Sequence, residues 1–322
     1  MIISKTPLRI SFAGGGSDLP SYYKKMPGKV ISTSIDKYVY VVLKKRFDSL
    51  IYINYSKKEI VKDVKNIKHD LVREAMIKTG IKSGIEITTL SDIPSSGSGL
   101  GSSSAITVGL LNAMYNYQNI IKTQEFLANE ACEIEIDICK NPIGKQDQYG
   151  CSIGGLKVID FSTKGYVDLK SINHNFSRLE RNLYLCFTDI TRSANDILSK
   201  QSRNSKKNTS KNLSLVQSVS KFEKIINSGT YHEVGPFLDK MWSIKKEMAP
   251  GISNDSIEDL YNKGISFGST GGKVLGAGGG GFILFYVPRI NQEKFEEGMK
   301  NKVFLDFKFE KHGSKVIFVE GV

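Results

Sequence analysis

A glycine- and serine-rich segment, residues 94–104, constrains the fold of this chain more than any other stretch of its sequence. Residues 85–90, which precede it, are rich in β-branched side chains and predict a strand. Residues 105–117, which follow it, are apolar nearly all round and predict a helix buried inside its domain. The segment therefore leads from a strand to the N-terminus of a buried helix, where free backbone N–H groups can face an anion together.

The composition of this segment favours a phosphate-binding loop. Gly97, Gly99 and Gly101 let the backbone approach a ligand closely, and the serines at 102–104 supply hydroxyls that donate to phosphate oxygens or ligate Mg²⁺. A merely flexible loop is the alternative, but no other segment combines this composition with a helix start. The residues predicted to bind ATP are Pro94, Ser96, Gly97, Ser98, Gly99, Leu100, Gly101, Ser102, Ser103 and Ser104.

The length of 322 residues predicts two lobes that meet at a cleft, because one compact core seldom organises a chain of this size. No segment approaches the roughly 20 continuous apolar residues that a membrane span needs. The N-terminal residues do not have the pattern of a signal peptide, so we expect a cytoplasmic protein. Four cysteines without a CxxC pair and only four histidines indicate neither a zinc site nor a disulfide framework.

The formal net charge of +12 favours contact with polyanions, which include nucleic acid, acidic membranes and phosphorylated small molecules. Basic residues are scattered along the chain, with one concentration at residues 200–211 among serine, asparagine and threonine. Because no aromatic side chains alternate with these charges, the run offers nucleic-acid bases no stacking surface. We interpret it as a solvated loop and expect no nucleic-acid partner.

Hydrophobic periodicity predicts further elements of mixed type. Strands are predicted over residues 2–13, 38–43, 51–55 and 282–287, and helices over 69–79, 123–139 and within 213–260. Gly80 is a suitable end for the first helix, and Asn141-Pro142 stops the second. Periodicity alone indicates only mixed α and β structure.

Three segments, in order along the chain, resemble the signatures of the GHMP kinases, the family of galactokinase, homoserine kinase, mevalonate kinase and phosphomevalonate kinase. The loop is similar to the central signature, P-x-x-x-G-L-G-S-S-A-A, and has Ser104 in place of an alanine. Residues 6–18, TPLRISFAGGGSD, resemble the first signature in its sugar-kinase form, and residues 273–282 resemble the glycine-rich third. The resemblance spans almost the whole chain.

This resemblance implies an α+β fold of two lobes. Residues 1–178 would form a lobe like ribosomal protein S5 domain 2 that carries the ATP loop, and residues 179–322 a ferredoxin-like lobe. ATP and substrate would bind between the two lobes.

The resemblance also implies roles for individual residues. Asp147 corresponds to the catalytic aspartate, Arg9 to the cation beside the attacked hydroxyl, and Asp18 to the acid that grips sugar hydroxyls. Asp147 is a candidate base without the resemblance as well, because it follows a proline-stopped helix and lies among hydrogen-bond donors. Lys145, two positions away, is expected to be a further catalytic cation.

Ser102 and Glu135 correspond to the ligands of Mg²⁺, the metal that accompanies ATP in this family. Glu133 competes with Glu135, because both lie within one turn of the same predicted helix. The spacing to Asp147 that resembles the family favours Glu135.

Residues 14–18, 144–148 and 188–194 resemble the branch of the family that phosphorylates sugars at the anomeric carbon, which includes kinases of heptose 7-phosphate. Arg192 is expected to clamp the phosphate already on such a sugar through paired hydrogen bonds, or else to pair with Asp189 or Asp196. The branch usually has glycine in place of Asp189. The residues expected to bind the sugar are Gly15, Gly16, Ser17, Asp18, Gln146, Arg192, Gly278 and Gly279.

Three other functions stay open on the sequence. A kinase for fucose, galactose or an N-acetylhexosamine would share every catalytic residue. A non-catalytic sensor of the family is disfavoured by intact Ser102, Glu135 and Asp147, and a basic nucleic-acid-binding protein would show salt-dependent binding. We expect ATP, Mg²⁺ and a sugar phosphate as ligands, no membrane partner, and a monomer or homodimer.

Overall fold

The chain folds into α+β structure with two β-sheets, and the computed structural model describes residues 1–94, 97–191, 195–204 and 208–321. The larger sheet contains β1 Ile2–Ala13, β2 Gly28–Lys45, β3 Ile51–Asn54, β4 Lys58–Val61, β5 Ile85–Ser91, β6 Leu156–Phe161 and β7 Val167–Ile172. The smaller sheet contains β8 Leu183–Phe187, β9 Gly271–Val274, β10 Phe282–Tyr286 and β11 Phe304–Leu305. The last strand, β12 Lys315–Val319, returns to the larger sheet beside β1.

The helices pack around these sheets. They are α1 Pro20–Tyr23, α2 Asp70–Thr79, α3 Ser102–Tyr117, α4 Gln124–Cys132, α5 Gln146–Ser152, α6 Ser177–Glu180, α7 Asn195–Arg203, α8 Thr209–Ser228, α9 Val234–Lys246, α10 Asp255–Ser266 and α11 Gln292–Gly298. The expected helix before Gly80 is confirmed, and Gly80 ends it in the left-handed conformation, with φ of 74°. Among the described residues, no helix is both long and apolar enough to cross a membrane.

Strand β1 is the central element that positions the cleft. It pairs antiparallel with β2 from Ile2 opposite Leu43 to Ala13 opposite Ile31, and α3 packs against both strands. The chain leaves β1 through Gly14, whose φ is 86°. A Cβ there would lie 2.0 Å from the carbonyl oxygen of Lys29, so the turn after β1 requires glycine.

The helix expected over residues 123–139 changes its winding partway. Its first part, α4, begins after Thr123, whose hydroxyl accepts the N–H of Phe126 at 3.2 Å. From Glu133 to Ile138 the chain winds more widely, as a π-helix. Such turns are frequent at functional sites, and this one contains both glutamates considered as metal ligands.

The two sheets are not formed by two consecutive halves of the chain. The first strand of the smaller sheet, β8, begins at Leu183, whereas β12 pairs with β1 from Lys315 opposite Lys5 to Val319 opposite Ile2. The C-terminal residues therefore belong to the larger sheet by hydrogen bonding. The division into residues 1–178 and 179–322 stays a prediction. All four cysteines are free thiols.

Candidate active site

A cleft opens where β1 and the glycine- and serine-rich loop face α9 and the glycine turn after β9. Most of the residues expected from the sequence line it together. They are Arg9, Gly15, Gly16, Asp18, Gly97, Ser98, Gly99, Gly101, Ser102, Ser103, Ser104, Glu135, Gln146 and Asp147. Segments far apart in the chain thus meet in one site.

The glycine- and serine-rich loop leads directly into the N-terminus of α3, the arrangement typical of a phosphate-binding loop. Gly97, Gly99 and Gly101 have φ of 73°, 75° and 81°, values that favour glycine. The N-cap of α3 is Gly101, which has no side chain to cap the first turn, so the helix N-terminus can face a ligand. A Cβ on Gly99 would lie 2.6 Å from the carbonyl oxygen of Leu275, which shows how closely this loop packs against the turn after β9.

Arg9 and Asp147 form a two-pronged ion pair inside the cleft. Nε of Arg9 donates to Oδ1 of Asp147 at 2.9 Å, and Nη2 donates to Oδ2 at 2.7 Å. Nη1 of Arg9 donates to the carbonyl oxygen of Gly99 at 2.6 Å, which links the pair to the loop. The arginine side chain is only 2% exposed whereas that of Asp147 is 28% exposed, so Asp147 is the member of the pair that a ligand can reach.

Glu135 is buried beside the loop and accepts three hydrogen bonds. Its donors are the hydroxyls of Ser103 at 2.8 Å and Ser104 at 3.2 Å, and the amide of Gln148 at 3.1 Å. Burial raises the pKa of Glu135 to about 7, against the lowering effect of these three donors. Ser104 therefore has a use in this chain, because the alanine of the family signature cannot donate to Glu135.

Glu133 lies outside the cleft. Its carboxylate accepts from Nζ of Lys78 at 2.6 Å, and its side chain is 45% exposed. Residues two positions apart on a helix do not share a face, and of the two glutamates only Glu135 lines the cleft. Its carboxylate and the hydroxyl of Ser102 are hard oxygen donors, and Mg²⁺ characteristically takes one or two carboxylates together with substrate phosphates, so this pair fits the metal.

Asp18 is buried at the end of the turn that follows β1. Its Oδ1 accepts the N–H of Gly16 at 2.9 Å, and its Oδ2 accepts the N–H of Gln146 at 3.4 Å. Burial raises the pKa of Asp18, and the nearby charge of Asp147 adds to the rise. Oδ2 also lies 2.0 Å from where a Cβ on Gly144 would be, so the 144–148 segment and the 14–18 turn are packed against each other.

Several expected residues do not line the cleft. Nζ of Lys145 donates to the carbonyl oxygen of Gly165 at 2.7 Å, outside the site, so the structure does not support its expected catalytic role. The hydroxyl of Ser17 donates to the carbonyl of Gly14 within the turn, and the N–H of Gly279 donates to Ile252 at 2.7 Å. The other expected residues away from the cleft lining are Pro94, Leu100 and Gly278. Ser96 and Arg192 lie outside the described residues.

Asp189, which stands where the branch usually has glycine, adopts the left-handed conformation with φ of 58°. Aspartate tolerates this region better than most side chains do. The carboxylate of Asp189 lies 3.4 Å from Nζ of Lys302.

Two buried lysines of the cleft were not assigned from the sequence. Nζ of Lys273, on β9, donates to the carbonyl oxygens of Ser11 at 3.0 Å and Phe12 at 3.2 Å, and so links the smaller sheet to β1. Nζ of Lys245, near the end of α9, donates to the carbonyl oxygen of Gly276. A usable signal existed for Lys245, because it continues the buried stripe of Leu238, Met241 and Trp242 at helical spacing.

An arginine–aspartate pair beside an uncapped helix start and a glycine loop is the arrangement of an enzyme that handles phosphate. Residues 54–155 match the GHMP kinases N terminal domain. A D-glycero-alpha-D-manno-heptose 7-phosphate kinase of Campylobacter jejuni is 31% identical to this chain, over 98% of each protein. The chain is a kinase and belongs to the GHMP kinase family.

Two further similarities concern the fold and the sequence separately. The crystal structure of a D-glycero-D-manno-heptose 1-phosphate kinase from Bacteroides thetaiotaomicron has a TM-score of 0.80 and 23% identity, with 100% of both chains covered. An L-fucokinase/L-fucose-1-P guanylyltransferase of Bacteroides fragilis is 26% identical over 88% of this chain and 34% of its own length. The expected two-lobed GHMP kinase fold is confirmed.

Proposed function

We propose that this chain transfers the terminal phosphoryl group of ATP to the C1 hydroxyl of a heptose 7-phosphate and produces the 1,7-bisphosphate. At the coarser level, the chain is an ATP-dependent sugar kinase. The observation that supports the reaction best is the Arg9–Asp147 pair, which faces the cleft between the phosphate loop and Asp18.

Asp147 is the proton acceptor in the proposed reaction. Its carboxylate is part exposed in the cleft, and Arg9 holds both of its oxygens. As the C1 oxygen attacks the γ-phosphorus of ATP, its proton passes to Asp147. The bond from the γ-phosphorus to the β,γ-bridging oxygen breaks, and its electron pair leaves with ADP.

The remaining residues position the substrates. The N–H groups of the loop and of the start of α3 hold the phosphates of ATP, and the buried carboxylate of Asp18 accepts hydrogen bonds from sugar hydroxyls. Ser102 and Glu135 would hold Mg²⁺, which supplies charge neutralisation of the phosphates when it is bound. Arg192 stays the expected clamp for the phosphate already on the sugar.

The choice of heptose 7-phosphate is supported by the 31% identical relative that bears this activity in its name. The net charge of +12 suits an acceptor that already carries phosphate. Such a product belongs on a route to nucleotide-activated heptose for surface polysaccharide, in the cytoplasm where ATP is available. The partially matching fucokinase makes fucose the acceptor to compare first.

A panel of acceptors tests this function. The purified chain is given ATP and Mg²⁺ with heptose 7-phosphate, unphosphorylated heptose, fucose, galactose or an N-acetylhexosamine, and ADP release is followed. We expect kcat/KM to be highest for heptose 7-phosphate, by about tenfold or more over free heptose, and phosphorus NMR to locate the new phosphate at C1. Equal kcat/KM for phosphorylated and free heptose, or a new phosphate elsewhere on the sugar, would refute the proposed acceptor or position.

A further inference from the structure

The cleft contains three buried cations among its described residues, and they differ in how their donors are used. Arg9 is paired with Asp147 and Gly99. Lys273 donates to two main-chain carbonyls that fix it between the sheets. Lys245 is 8% exposed, lines the cleft, and has only the carbonyl of Gly276 as a hydrogen-bond partner in the part of the chain that the structure describes.

An ammonium group has three donors, and burying one without an anionic partner is costly. Burial, together with the charge of Arg9, lowers the pKa of Lys245 to about 8. Asp18 and Asp147 oppose that effect without forming an ion pair with the lysine. Lys273 and Lys245 also repel each other. A buried cation kept in these surroundings indicates a ligand that supplies the missing negative charge.

The packing around Lys245 locates that ligand. Its acceptor, Gly276, packs against Gly99 of the phosphate loop, since a Cβ on Gly276 would lie 2.5 Å from the Cα of Gly99. Gly99 in turn accepts from Arg9 at 2.6 Å. Lys245 therefore lies at the junction of the loop and the Arg9–Asp147 pair, and it lines the same cleft as Ser102 at the start of α3.

We propose that Lys245 is a catalytic residue whose ammonium group binds the oxygens of the phosphoryl group during its transfer. This inference rests on the proposed function, which supplies the phosphoryl transfer, and it adds the ammonium group of Lys245 to the residues that take part. The loop and α3 contact the donor side of that phosphoryl group, and Lys245 neutralises the charge on its equatorial oxygens from α9. Arg9, being bound to Asp147, then serves mainly to orient the base.

The test compares Lys245→Met, Lys245→Arg and the matched control Lys246→Met. Lys246 is the next residue of α9, but it pairs with Glu258 at 2.8 Å. We expect Lys245→Met to lose about 10²-fold in kcat with KM for ATP and for the sugar changed by less than about threefold. Lys245→Arg should keep much of the activity and Lys246→Met nearly all of it. A kcat within about threefold of the unmodified chain in Lys245→Met would overturn the proposal.

The pH profile gives a readout that a structural role would not move. In the unmodified chain, kcat/KM for ATP at saturating sugar should fall as pH rises through about 8, because Lys245 loses its proton there. In Lys245→Arg this limb should disappear, since the guanidinium stays charged. A limb that persists unchanged in Lys245→Arg would contradict the assignment.

Binding of a transition-state mimic separates this inference from the proposed function. The affinity for ADP and Mg²⁺ is measured with and without tetrafluoroaluminate, which needs no sugar acceptor. In the unmodified chain, tetrafluoroaluminate should increase the affinity for ADP and Mg²⁺. We expect Lys245→Met to lose this increase and to keep the affinity for ADP and Mg²⁺ measured without tetrafluoroaluminate. Equal losses of affinity with and without tetrafluoroaluminate would overturn the proposal. A loss confined to KM for the phosphorylated sugar would also overturn it, because it would assign Lys245 to the phosphate of the acceptor. Should the chain phosphorylate no sugar, this arm still decides the role of Lys245.

Discussion

The guanidinium of Arg9 meets the carboxylate of Asp147 through two parallel hydrogen bonds, at 2.9 and 2.7 Å, and a third donor of Arg9 reaches the phosphate loop at Gly99. This geometry fixes the candidate base relative to the site of the nucleotide. Paired bonds of this kind are stronger and more directional than single ones. The position of Asp147 therefore depends on a residue 138 positions away in the sequence.

Asp147→Asn should abolish most of the turnover while nucleotide binding persists. The amide keeps the shape of the side chain but cannot accept a proton, so we expect kcat to fall by about 10²–10⁴-fold. The affinity for ATP, measured by calorimetry, should change little. A variant that turns over at nearly the normal rate would exclude Asp147 as the base.

The same substitution should also lower the stability of the folded protein. In Asp147→Asn the new amide NH₂ would face a guanidinium donor, so the pairing with Arg9 weakens and the buried arginine loses its counter-charge. Because Asp147 is partly exposed, we expect a modest cost of about 1–3 kcal/mol, seen as a lower urea midpoint. No change in the midpoint would mean that the ion pair contributes little to folding.

Ser102→Ala and Glu135→Gln should each raise the Mg²⁺ concentration needed for half-maximal rate. Each removes an oxygen donor from the proposed site of a hard cation. Glu133→Gln is the matched control, because that carboxylate pairs with Lys78 outside the cleft. A larger effect in Glu133→Gln than in Glu135→Gln would reverse the assignment of the two glutamates.

The backbone of the glycine- and serine-rich loop could be predicted from the sequence. The glycines at 97, 99 and 101 are needed for backbone angles that few other residues adopt, so the loop is visible from spacing alone. The choice between Glu133 and Glu135 could not be made from a helical pattern, because the pattern does not say which face of the helix meets the loop. Tertiary packing sets that face, and it places Glu135 beside Ser103 and Glu133 beside Lys78.

Long-range relationships were also missed. Lys245 is buried in the cleft by contact with the turn after β9, and Lys273 by contact with β1. The net charge of a sequence does not distinguish such lysines from exposed ones. The return of β12 to β1 pairs residues more than 300 positions apart, which periodicity cannot register. Lys145 was assigned from its nearness to Asp147 in sequence, but its side chain leaves the cleft at the start of α5.

Lys145→Met should therefore change kcat by less than about threefold. The Nζ of Lys145 donates to the carbonyl oxygen of Gly165 at 2.7 Å and does not line the cleft. Removing it costs at most one hydrogen bond of roughly 1 kcal/mol, which affects folding rather than transfer. Steady-state kinetics beside Lys245→Met distinguishes the two lysines. A loss of about 10²-fold in Lys145→Met would restore its expected catalytic role.

Lys157 gives a prediction about stability and pH. It lies on β6 opposite Ser32 of β2, is fully buried, and its Nζ has no hydrogen-bond acceptor among the described residues. Burial lowers the pKa of Lys157 to about 7, from 10.5. Between these two values the unfolded chain binds a proton that the folded chain does not, so this lysine destabilises the fold most at and below pH 7, and the penalty shrinks as pH rises.

Lys157→Met should accordingly stabilise the protein, and the gain should decrease with pH. The expected change in the difference between the two free energies of unfolding is about 1.4 kcal/mol per pH unit between pH 7 and 10. Urea unfolding at pH 7, 8 and 9 measures it, with Lys164→Met as the control because Lys164 is exposed in a turn. Taking the difference between variants cancels the titration of other groups. A gain that stays constant over this range, or a loss of stability at pH 7, would mean that the amine of Lys157 is compensated inside the folded chain.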